Sequence, residues 1–123
     1  MSRREVLRVL SIGRAALGAG MVATPALAGR PWVGPDASAP GAMVIGRAFG
    51  ARDVVLGLGT LEADRRGEGV RTWLAAGVIA DAVDLVATLA AGDEIPARGS
   101  RAVSVLAGGA ALAGLVLLRG AGE

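Results

Sequence analysis

Four apolar stretches, each about 20 residues long and separated by polar breaks of about ten, constrain this chain more than any other feature of it. They run over 6–28, 41–61, 72–91 and 101–118. With a rise of about 1.5 Å per residue, each is long enough to cross the ~30 Å hydrocarbon layer of a bilayer as a helix. The breaks carry helix-ending chemistry. GRPWVGPDASAP (29–40) holds three of the five prolines, EADRRGEGVR (62–71) is mostly charged, and AGDEIPARGS (91–100) joins acids with Pro and Gly. The pattern predicts an all-α fold: a four-transmembrane-helix bundle of up-down topology, forming a single integral membrane domain over residues 1–123.

Composition supports the same reading. A soluble domain of this length would bury about two thirds of its unfolded surface around large side chains. Here aromatics are 2% of the chain, only Phe49, Trp32 and Trp73, while Gly alone numbers 20. Small residues suit membrane helices, whose association depends on close backbone approach. The chain has no Lys, His, Cys, Tyr, Asn or Gln. That removes the imidazole base, the thiol nucleophile, the Schiff-base lysine and the usual ligands of zinc, haem and iron–sulfur clusters. No enzyme activity, catalytic residue, cofactor or metal is expected. The 13 basic residues, all arginine, are scattered and not interleaved with aromatics, so no nucleic-acid partner is expected either.

The arginines near helix ends set an orientation. Arg3, Arg4, Arg8, Arg65, Arg66, Arg71 and Arg119 fall on one side and Arg30, Arg98 and Arg101 on the other, which predicts both termini in the cytoplasm and a multi-pass protein of the inner membrane. The N-terminus also admits a second reading. Ser2-Arg3-Arg4-Glu5-Val6-Leu7 has the form of a twin-arginine export signal, and Ala26-Leu27-Ala28 before Gly29 has that of a cleavage site. Arg14 inside the apolar segment, and Val6 where the motif uses Phe, favour retention as a helix, with an exported three-helix protein as the alternative.

The charges within the apolar stretches are the candidate functional residues: Arg14 in the first, Arg47, Arg52 and Asp53 in the second, Asp81 and Asp84 in the third. Each central charge costs about 2.5–3.5 kcal/mol on insertion, against about 0.3–0.6 kcal/mol returned by a Leu or Val. The second stretch is therefore a poor span alone and needs neighbours or a partner. Three arginines and three aspartates sum to zero. Depths measured from helix midpoints place Arg52 level with Asp81, Arg47 with Asp84 and Arg14 with Asp53, each to within about 3 Å. At about 100° per residue, Asp81 and Asp84 share a face with Gly77 and Thr88, whereas Arg47, Arg52 and Asp53 point three ways. That predicts a second helix surrounded by protein, inside the bundle or in a homo-oligomer. Gly46, Gly50, Asp53 and Gly57 form a small-residue stripe that lets a neighbour approach Asp53.

Two functional classes use such a network. One is a non-enzymatic structural or accessory subunit in which the ion pairs fix helix register; the other is a small proton-linked or solute-conducting transporter, with Asp53, Asp81 or Asp84 taking up the proton. Asp81-x-x-Asp84 also has the spacing of paired magnesium-binding carboxylates, but Leu85-Val86-Ala87-Thr88 follows in place of further aspartates.

The succession GARDVVLGLGTL, a short charged loop, then WLAAGVIADAVDLVATL, within residues 44–90, resembles the centre of small uncharacterised four-helix membrane proteins of high-GC bacteria, a domain of unknown function. The resemblance implies a four-helix inner-membrane bundle with the lipid bilayer, a second copy or another membrane protein as partner. It implies no established activity and carries over no functional residue.

Overall fold

A computed structural model describes residues 1–121, which form five α-helices: α1 (Arg3–Ala23), α2 (Pro25–Val33), α3 (Pro40–Arg66), α4 (Val70–Ala91) and α5 (Ala97–Gly120). The last three enclose the expected stretches 41–61, 72–91 and 101–118. The first stretch differs, because the helix breaks at Thr24 instead of running to residue 28. Proline explains the break. Pro25 has no N–H to continue the ladder, and its ring pushes the preceding residue out of the helical region, so Thr24 stands at φ −136°, ψ 63°. The chain then restarts as the short α2, with Pro25 in its first turn.

Local signals account for the other ends. Ser2 and Glu5 form a reciprocal capping box at the start of α1, the Ser2 Oγ accepting from the Glu5 N–H at 3.2 Å and the Glu5 carboxylate accepting from the Ser2 N–H at 2.5 Å. Between α3 and α4, Gly67 (φ 71°) and Gly69 (φ 81°) take left-handed conformations that any side chain would strain, which makes a three-residue turn possible.

Cross-helix contacts fix the arrangement. Gly18 meets Gly50 and Ser11 meets Gly57, so α1 and α3 are antiparallel; Val78 meets Gly114 and Leu85 meets Gly108, so α4 and α5 are too. One end collects the start of α1, the α3–α4 turn and the finish of α5. There Arg4 and Arg8 reach Asp64 at 3.1 and 3.4 Å, and Arg71 and Arg3 both donate to carbonyls in the last turn of α5. The opposite end is closed by α2, whose Trp32 ring meets Phe49 of α3 edge-on at 5.1 Å.

The interior is unlike that of a soluble domain. An apolar cluster of Leu7, Leu74 and Leu117 fills the end where α1 starts and α5 finishes, and among the described residues no large side chain is completely buried. Ser11, Asp53, Thr60, Asp81 and Thr88 are buried instead, while Val9, Ile45, Val55, Ile79, Val86, Leu106 and Val116 face outward. Polar residues inside and large aliphatics outside suit a lipid solvent. α1, α4 with the turn that follows it, and α5 are each long and apolar enough to cross a membrane. α3 has the length but not the composition, since Arg47, Arg52 and Asp53 interrupt its centre and Glu62, Asp64, Arg65 and Arg66 crowd its end.

Candidate functional site

Glycine determines how the site forms. A Cβ at Gly50 would stand 2.5 Å from the Gly18 carbonyl oxygen, and one at Gly57 would stand 2.5 Å from that of Ser11. Only glycine permits this backbone contact, which draws α1 onto the face of α3 that carries Asp53. On α4, Gly77 leaves a groove in which the Arg14 guanidinium lies, 3.6 Å from where a Cβ would be.

Five of the six charges predicted to interact come together here. Arg14 of α1 donates to both oxygens of Asp81 on α4, at 2.9 and 2.5 Å, and reaches Asp53 of α3 at 3.5 Å. Arg52 of α3 grips both oxygens of Asp84 at 2.9 and 2.7 Å and makes contacts of 3.1 and 3.3 Å with Asp53. Two two-pronged Arg–carboxylate bonds therefore tie α4 to its neighbours, and Asp53 lies between the two guanidinium groups. Phe49, one turn before Arg52, covers that guanidinium with its ring centroid 4.4 Å away.

The partners differ from the depth-matched expectation. Arg52 takes Asp84 instead of Asp81, Arg14 takes Asp81 as well as Asp53, and Arg47 joins no carboxylate. Arg47 is exposed and donates to the Val22 carbonyl at 3.3 Å, close to the break after α1. Helix midpoints give the depth of a backbone, but helical side chains lean toward their own N-terminus. α3 and α4 run in opposite directions, so Arg52 leans toward the level of Asp84 while Asp81 leans back toward Arg14. Arg47 leans past both aspartates. Nor is α3 surrounded by protein within the single chain: Val44, Ala48, Ala51, Val55 and Leu58 form an exposed face.

Ser11 and Thr60 were not legible as site residues in the sequence, and Thr88 was legible only as a member of the Asp81–Asp84 face. Ser11 and Thr60 line a cavity of about 20 Å³ beside Arg14 and Asp81, room for about one water. Thr88 donates to the Asp84 carbonyl at 2.7 Å and accepts from the Trp32 indole at 3.2 Å, linking α2 to α4. Their spacing supplies the only signal: Ser11 and Thr88 sit one turn from Arg14 and Asp84 on the same faces. Trp73 lies against Gly59 of α3.

Chemically the arrangement holds helices together and stores buried charge; among the described residues no group of three ligating side chains is placed to hold a metal ion. The chain matches no protein-family profile, no curated protein and no solved structure.

Proposed function

We propose that this chain is a small integral membrane protein with four spanning helices, α1, α3, α4 and α5, and both termini in the cytoplasm. It acts as a structural or accessory subunit of a bacterial inner membrane without enzymatic activity, in the manner of the four-helix membrane proteins it resembles. The bilayer is its solvent, and a second copy or another membrane protein covers the exposed face of α3. One observation carries the reading. The charges that make α3 a poor span by itself are met by Arg14 from α1 and by Asp81 and Asp84 from α4. An ion-paired cluster of this kind fixes helix register, whereas a transporter needs a path on each side of its carboxylates.

The cluster also supports retention of the first helix, since cleavage after Ala28 would strip Asp81 of both its donors. The clustering of Arg3, Arg4, Arg71 and the α3–α4 turn at one end agrees with the arginine bias that puts that end in the cytoplasm.

Reporter fusions at each terminus and in the 92–96 loop test the topology: cytoplasmic signals at both termini and an external one in the loop are expected, and opposite sides for the two termini would end the four-span reading. Vesicles containing the purified protein test the role. They should show no proton flux above protein-free vesicles under a pH gradient, and a flux abolished by Asp81→Asn would make the protein a transporter.

A further inference from the structure

The expected sum of three arginines and three aspartates does not hold at the site. Arg47 has turned away to a carbonyl, leaving Arg14 and Arg52 against Asp53, Asp81 and Asp84: two positive charges and three carboxylates. Among the described residues no other charged side chain is bonded to the group. Along α1 the nearest, Arg8, is engaged at the chain-terminal end with Asp64; α5 has no charge between Arg101 and Arg119; and Arg30 of α2 is exposed. With every carboxylate ionised, the cluster would carry one uncompensated negative charge in its buried centre.

The hydrogen bonds identify which carboxylate is in surplus. Both oxygens of Asp81 are held by Arg14, and both oxygens of Asp84 by Arg52. Asp53 receives donors at Oδ1 alone, none shorter than 3.1 Å, and its Oδ2 receives none. Its side chain is only 9% exposed. An ionised Asp53 would set a third carboxylate against only two guanidiniums, while its neutral form removes the surplus charge.

We propose that the cluster is a proton-binding site, and that Asp53 carries one proton on Oδ2 at neutral pH, which brings the five side chains to zero net charge. The proposal rests on the membrane reading above and deepens it by naming the ligand. The bound proton also sets the pairing. A neutral Asp53 leaves Arg14 to Asp81 and Arg52 to Asp84, whereas an ionised Asp53, lying between the two guanidiniums, competes for both. Loss of the proton therefore loosens the attachment of α4.

Infrared spectroscopy of the full chain in vesicles at neutral pH reads this directly. A carbonyl stretch from one protonated carboxyl per chain is expected, shifted in heavy water and missing from Asp53→Asn. A wild type without the band, or an Asp53→Asn variant that keeps it, overturns the proposal. Accumulation provides a second reading, since Asn reproduces the shape and neutrality of the protonated acid. Asp53→Asn should accumulate to within about twofold of wild type, and a much larger loss also overturns it. Extraction of the membranes with alkaline carbonate keeps the two readings apart: release of the wild type would remove the membrane reading, whereas retention with no infrared band removes the proton alone.

Discussion

The two antiparallel seams of the molecule are built differently. Between α1 and α3, backbone meets backbone: glycines at 18, 50 and 57 face carbonyls and amides that a Cβ would overlap. Between α4 and α5, side chains fill the space, Val78 lying over Gly114 and Leu85 over Gly108, with no charged residue on α5 between Arg101 and Arg119. The first seam is close enough for polar groups to be shared, and through Arg14 and Arg52 it captures α4. The second is ordinary apolar packing that closes the bundle. Register is thus set by one seam, and the other follows.

The largest expected effect breaks that asymmetry at its centre. Arg14→Leu leaves Asp81 with no donor and should destabilise the protein by about 3–5 kcal/mol, read as loss of the thermal unfolding transition in detergent or of accumulation in membranes. Gly57→Ala comes next: its methyl meets the Ser11 carbonyl, a backbone atom that cannot rotate away, at a cost of about 1–3 kcal/mol. Gly114→Ala meets a Val78 methyl instead and should cost less, while Gly109→Ala, with nothing within 4 Å of its Cβ, should leave stability unchanged. If Gly114→Ala proved as costly as Gly57→Ala, the contrast between the seams would fail. Trp32→Phe retains the contact with Phe49 but removes the hydrogen bond to Thr88, a loss of about 1 kcal/mol.

The smallest effect lies outside both seams. Glu62 is half-exposed beside Arg65 and Arg66, whose hydrogen bonds hold its carboxyl at about 2, below its ordinary 4.5. A carboxylate held low contributes fully above its ordinary value, and the contribution fades as pH falls from there toward 2. Solvent screens a half-exposed group, so Glu62→Gln should melt with the wild type at pH 7. Its signature is the titration: carbon-13 NMR should place the Glu62 carboxyl midpoint near 2 in wild type.

Much of this was legible in the chain. Stretches 41–61, 72–91 and 101–118 lie within α3, α4 and α5, because runs of apolar residues between Pro, Gly and charge clusters leave few alternatives to a helix. The small stripe of Gly46, Gly50, Asp53 and Gly57 could be placed on one face from spacing alone, and α1 does pack there. The break at Thr24 was legible in principle, since Pro25 cannot continue the ladder, but the apolar run through Ala28 masked it. The pairing was not. Choosing between Asp81 and Asp84 for Arg52 depends on a few ångströms of side-chain lean, and sequence gives the depth of a backbone without the direction of a guanidinium. That lean also decides whether Arg47 belongs to the cluster, and with it the sign of the net charge.

Arg14 precedes Asp84 by 70 residues, so α1 leaves the ribosome well before α4. On the four-span reading, α1 enters the membrane with its guanidinium unmatched, and α3 follows with a composition that resists entry. Neither settles until α4 brings the last two carboxylates. Synthesis through α4 is then a point of commitment: a chain halted before it presents unpaired charge in lipid, a form open to clearance by membrane proteases, whereas a chain that passes it locks three helices in one step.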